Sequence, residues 1–125
     1  MLNHDDAWAL FDRRRRAWLD QNLAAYLALW TEDMTFQSPL HREPLRGRAA
    51  FADLVARSLA AARPVRFDVE HLAVWGDVVM AEWTIAMERR RNGALVEWRG
   101  MSVAEMRDGL IATWREYWNP AALAT

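Results

Sequence analysis

The chain has 125 residues, of which 53% are hydrophobic, 26% charged and 11% aromatic, enough for one compact domain with a core of its own. Sixteen basic residues, every one of them Arg, stand against seventeen acidic ones, so no global field recruits nucleic acid or an anionic membrane, and the lack of cysteine excludes disulfides, thiolate catalysis and Cys-based zinc sites. The longest apolar stretch runs only from Leu23 to Trp30, against about 20 residues for a membrane-spanning helix, and the acidic start lacks the basic residues and apolar run of a signal peptide; a cytoplasmic protein without membrane or nucleic-acid partner is expected.

The first third is helical in pattern. Trp8, Phe11, Arg15 and Trp18 recur at helix spacing, with Asp5 and Asp6 suited to the N-terminal end. Asp20-Gln21-Asn22 interrupts it, and a second helix from about Leu23 to Trp30 gives way to a short strand, Met34 to Ser38, stopped by Pro39. A loop follows to Gly47. Arg48 to Ala61 forms a third amphipathic helix, ended by Arg63-Pro64. The period then changes to two, and Gly76-Asp77, Asn92-Gly93 and Asp108-Gly109 divide the remainder into four antiparallel strands. The plan is α+β, three helices covering one face of an antiparallel sheet, with residues 1–125 forming a single domain. The charge runs Arg13 to Arg16 and Arg89 to Arg91 read as a helix surface and a hairpin tip.

Strand register decides which side chains face inward, because a slip of one residue exchanges the two faces. A two-residue turn at Asn92-Gly93 and three-residue loops at Gly76-Asp77-Val78 and Arg107-Asp108-Gly109 separate charge from apolar surface. They give an inner face that includes Phe67, Val69, Ala73, Trp75, Trp83, Ile85, Met87, Trp98, Met106, Leu110, Ala112, Trp114 and Trp118, with His71, Ser102 and Glu116 as polar intruders. The opposite face places Leu72, Val74, Met80, Met101, Val103 and Tyr117 at the centre of a ring of mixed charge.

The element order, the phrase Phe36-Gln37-Ser38-Pro39 followed by Pro44-Leu45-Arg46-Gly47-Arg48, and the ending Arg107-Asp108-Gly109-Leu110-Ile111 through Trp114-Arg115-Glu116-Tyr117-Trp118 resemble the SnoaL-like branch of the nuclear transport factor 2-like superfamily. That resemblance implies a cone-shaped α+β barrel, a strongly curved sheet wrapping an apolar pocket closed by helices, and dimers through the outer sheet face. Its members include polyketide cyclases, ketosteroid isomerases, limonene epoxide hydrolases and catalytically silent binders, so the fold does not fix the function. Ser38 and Ser102 occupy the places where ketosteroid isomerases carry their two Asp residues. Phe36, Ser38, Trp83, Ile85 and Glu116 match the epoxide hydrolase set, of which the last carboxylate alone survives. A pocket with Glu116 and His71 is more similar to that of the cyclases.

Glu116 and His71 are therefore the candidate catalytic residues, and Phe36, Ser38, Trp83, Ile85, Met87, Trp98, Ser102, Trp114 and Trp118 the candidate ligand-binding ones. Desolvation at a Trp-lined surface would raise the pKa of Glu116 into the range of proton transfer; alternatively the residue simply accepts hydrogen bonds from an indole or caps a helix. An inward His71 reads either as acid-base partner or as a satisfied core residue, and His41, in the loop after Pro39, either as a residue of the pocket mouth or as a solvated loop histidine. The indoles either stack on a flat apolar ligand or form plain core. The three histidines show no ligand spacing, and no phosphate loop or dinucleotide fingerprint occurs, so neither metal nor cofactor is expected. These residues fit proton-transfer chemistry of cyclase or isomerase type on a small apolar or polycyclic carbonyl compound, or a non-catalytic binding module for a hydrophobic small molecule, with epoxide hydrolysis further off. The apolar centre of the outer sheet face is expected to form a homodimer.

Overall fold

In the computed structural model, which describes residues 2–123, Asn3 opens the first helix. Its side chain accepts the Asp6 N–H at 2.7 Å, satisfying one free donor of the first turn. Helix α1 (His4–Leu19) buries Ala7, Leu10, Phe11, Arg14 and Ala17. This stripe is rotated from the expected one: Trp8 and Arg15 are exposed, and Arg14 turns inward. Helix α2 (Leu23–Leu27), capped by Asn22, is shorter than expected. Its apolar run does not stay helical to Trp30, because that residue opens β1 (Trp30–Gln37) and pairs with Ile111. A two-residue strand, β2 (Leu45–Arg46), lies inside the expected loop and pairs with β1. Then come α3 (Arg48–Ala61), β3 (Ala62–Trp75), β4 (Val78–Arg89), β5 (Leu95–Arg107), β6 (Leu110–Trp118) and a short 3-10 turn, Pro120–Leu123.

The strands form one sheet in the order β2-β1-β6-β5-β4-β3. It is mixed rather than antiparallel throughout, because β1 runs parallel to β6. Three helices pack on this curved sheet, an α+β fold as expected, and the sheet stays open between β2 and β3. The core lies between the layers, where Phe11, Trp30, Phe51, Phe67, Trp83 and Trp114 are fully buried.

All three hairpins depart from their expected registers. At the β4–β5 connection residues 90–93 form a four-residue loop, closed by the Arg89 N–H on the Ala94 carbonyl at 2.8 Å. Pairing moves by two residues, so both faces keep their composition: Ile85 meets Trp98, and Trp83 meets Gly100. The β5–β6 turn has two residues, Asp108 and Gly109, both at positive φ, the geometry that matches strand twist. A bulge after Glu105 then returns Trp114, Glu116 and Trp118 to the inner face, while Ile111 takes the buried place expected for Leu110.

The β3–β4 turn changes a functional assignment. It too has two residues, with Gly76 at φ 60°, and it pairs Trp75 with Val78. Leu72 and Val74 consequently pack against the core, whereas Trp75 is 77% exposed. A bulge at Glu70 restores the expected facing of Phe67 and Val69 but leaves His71 opposite Glu82. His71 is thus on the outer face, its side chain 82% exposed and its Nδ1 2.9 Å from Glu82 Oε1. This corrects its placement in the pocket and removes it from the catalytic candidates.

Candidate functional site

A cavity of about 920 Å³ opens between the sheet and the helices, at the upper end of the size range of small-molecule sites. Strand β4 supplies Trp83, Ile85 and Met87, alternating as inner-face positions must. Trp98 from β5 and Trp118 from β6 lie together on the wall, ring centroids 5.6 Å apart. Phe36 and Ser38 enter from β1 and the residue after it, and Leu54, Val55 and Ser58 from α3 close the other side.

Among the described residues, Glu116 is the single acidic one of this lining. Its carboxylate is seated by two indoles, Trp118 Nε1 donating to one oxygen at 2.9 Å and Trp114 Nε1 to the other at 3.2 Å. Burial pushes its pKa above the ordinary carboxylate value, against the attraction of Arg14 and the two indole bonds, which pull it down. The two readings of this residue therefore coexist: it accepts from indoles and it is also a desolvated acid.

Sequence reasoning missed Arg14 and Tyr26, which share the cavity wall with Glu116. The Arg14 guanidinium lies 4.3 Å from the Trp114 ring centroid, 4.8 Å from that of Phe67 and 5.3 Å from that of Tyr26, so aromatic faces supply much of the compensation for its burial. Its Nη2 donates to the Tyr26 hydroxyl at 2.9 Å. That hydroxyl, having accepted from Arg14, keeps its own proton to give, and burial raises its pKa and holds the phenol neutral, with the charge of Glu116 adding to the shift. The signal was present in the sequence, since Ala7, Leu10, Arg14 and Ala17 follow helix spacing.

His41 also belongs to the wall rather than to a solvated loop. Ser38 Oγ accepts the Leu40 N–H at 3.2 Å and lies 2.8 Å from His41 Nδ1, within hydrogen-bond distance of it. A smaller cavity of about 330 Å³ shares Ser38, His41 and Glu116 with the first.

Of the residues singled out in the sequence, Glu116, Phe36, Ser38, Trp83, Ile85, Met87, Trp98 and Trp118 line the main cavity. Ser102 and Trp114 are fully buried behind it, Ser102 accepting the Trp83 indole N–H at 3.1 Å and Trp114 holding Glu116. Among the described residues, no group of three His, Cys, Asp or Glu side chains could hold a metal ion, and no helix is long and apolar enough to cross a membrane.

Residues 11–114 match the SnoaL-like domain model, and the chain belongs to that family. The fold is shared with an isomerase candidate from Bacillus subtilis, 24% identical with a TM-score of 0.86 over 98% of this chain and 92% of the other. A polyketide cyclase candidate from Xanthomonas campestris is 23% identical, with a TM-score of 0.81 over 98% and 96% of the two chains. An epoxide hydrolase from M. tuberculosis, of the LEH-like type, is 19% identical, with a TM-score of 0.81 over 96% and 87%. Among proteins with curated descriptions, none matches this sequence.

Proposed function

We propose that the protein is a cofactor-independent enzyme of cyclase or isomerase type that moves a proton on an apolar carbonyl compound held in the Trp-lined cavity. The observation that carries this reading is the desolvated carboxylate of Glu116, the single acid among the described residues of the lining, beside a neutral phenol backed by a guanidinium. Glu116 takes the proton from the carbon next to the carbonyl. Tyr26, polarised by Arg14, donates to the oxygen on which negative charge develops, where a fixed donor in a dry site is worth most. The proton then returns from Glu116 to a different carbon or, where the activated carbon has instead formed a carbon–carbon bond to a second carbonyl of the substrate, to the alkoxide oxygen of that carbonyl, and the carboxylate is regenerated. The isomerase and cyclase candidates among the structural neighbours support this by analogy of fold.

Deuterium exchange at the activated carbon of 2-tetralone tests the reading. The wild type should accelerate uptake from D₂O, and Glu116→Gln, which cannot accept the proton at neutral pH, should lose the acceleration. Equal rates in the two proteins would favour the second reading, a non-catalytic binder. One observation speaks for that alternative: Glu116 braces two indoles of the wall, a role that needs no proton transfer.

A homodimer through the outer sheet face belongs to the same proposal. With Leu72 and Val74 facing the core, the apolar centre of that face consists of Met80, Met101, Val103 and Tyr117, with Trp75 added at the β3 edge. Arg66, Arg99 and Arg115 alternate around it with Glu82, Glu97 and Glu105, a mixture of signs suited to a two-fold contact with a polar rim.

A further inference from the structure

Charge on the main cavity wall is lopsided. Among the described residues its charged lining groups are Arg14, Arg89, Arg90 and Arg91 against Glu116, Arg89 being itself engaged with the Leu123 carbonyl at 3.0 Å, in a chain whose 16 basic and 17 acidic residues nearly balance. Arg14 lies beside Glu116 at the reacting end. The other three come from the end of β4 and the loop after it, which reads in the sequence as a mere hairpin tip. Arg90 is held there by neutral oxygens, its Nε donating to the Leu59 carbonyl at 2.9 Å and its Nη2 to Gln21 Oε1 at 2.7 Å. These bonds tie the loop to the end of α3 without a carboxylate to offset the charge. Arg91 is exposed and joins no ion pair among the described residues.

Between the arginines and the reacting end the wall is apolar, with Met87, Ile85 and Trp83 succeeding one another down β4. From Arg89 to Trp83 the strand covers about 20 Å at its usual rise. A row of guanidiniums at one end of a low-dielectric trough focuses positive potential along it, and each guanidinium fork matches a carboxylate or phosphate edge. We propose that the cavity takes an elongated apolar anion, its acidic head group at Arg90 and Arg91 and its carbonyl end at Glu116. This rests on the preceding reading for the reacting end, and adds the charge and shape of the substrate.

The fluorescence of N-phenyl-1-naphthylamine, a neutral apolar probe, reports occupancy of the cavity, and competitors of equal chain length separate head group from tail. At pH 8 decanoate should displace the probe at about fivefold lower concentration than decanol, a modest advantage because exposed ion pairs are individually weak. Added salt should shrink that advantage, and Arg91→Glu, a change at an exposed side chain, should at least halve it. Decyl phosphate run beside decanoate identifies which head group the arginines prefer. Decanol displacing the probe as well as decanoate does, or an advantage indifferent to salt and to Arg91→Glu, would overturn the anionic substrate while leaving an apolar carbonyl site intact. No enhancement of the probe by the wild type would overturn both.

Discussion

Trp118 donates its indole N–H to Glu116 at 2.9 Å from two positions along the same strand, and Trp114, two positions to the other side, gives its own to the second oxygen. Alternation along β6 thus delivers an acid and both of its supports to one face. The pKa of Glu116 is raised by burial, so the residue favours the folded state most below its unfolded value and loses that contribution as pH rises through the folded value. Glu116→Gln should remove this dependence. Its amide nitrogen cannot accept an indole N–H, which leaves a roughly constant cost of about 1–3 kcal/mol. Urea unfolding of both proteins from pH 4 upwards should show the stability of the wild type falling relative to the variant; parallel curves would mean that the carboxylate is not desolvated.

Arg14→Met should raise the pKa of Glu116 further, because the guanidinium is the largest influence pulling it down. The alkaline shift should appear in the pH profile of tetralone exchange, together with a lower maximal rate, since Tyr26 loses the donor that polarises it. An unmoved profile would show that Arg14 does not act on the carboxylate.

Gly100→Ala should be costly although the residue is in ordinary extended backbone. A methyl group there would lie 2.9 Å from the tip of the Trp83 ring and 2.9 Å from the Tyr117 carbonyl. Trp83 cannot give way freely, because its N–H is held by Ser102. Overpacking of this kind costs about 1–3 kcal/mol, readable as a lower thermal midpoint, and should also weaken probe binding as Trp83 is pushed into the cavity. A midpoint equal to that of the wild type would show that the floor is soft.

The inner face of β4 was legible in the sequence because charge and apolar residues alternate there without ambiguity. His71 was not. A bulge at Glu70 and a two-residue turn at Gly76 each reverse the facing of β3, and alternation cannot reveal a bulge where His71, Leu72, Ala73 and Val74 offer little contrast. The Asp108-Gly109 turn and its compensating bulge cancel over Trp114 to Trp118, so the expected facing of Glu116 agrees with the structure for a reason different from the one inferred. Arg14 was hidden by its charge, since a four-residue arginine run reads as solvated until aromatic rings are seen around one member. The early start of β1 at Trp30 was hidden because Leu23 to Trp30 is apolar throughout, and periodicity does not mark where helix yields to strand.

Val103→Arg should separate the proposed dimer, since it sets a charge at the middle of the apolar patch while each subunit keeps its core. Light scattering at micromolar concentration should give twice the chain mass of 14.5 kDa for the wild type and the single-chain mass for the variant. A wild-type mass of one chain would refute the interface.

The protonation of Glu116 is the quantity on which the functional reading turns, and carbon-13 NMR of the side-chain carboxyls measures it directly, the Glu116 signal being assigned by its loss in Glu116→Gln. A titration midpoint clearly above the ordinary Glu value of about 4.3 is expected, moving again when decanoate fills the cavity. A midpoint at or below that value, unchanged by ligand, would contradict that reading.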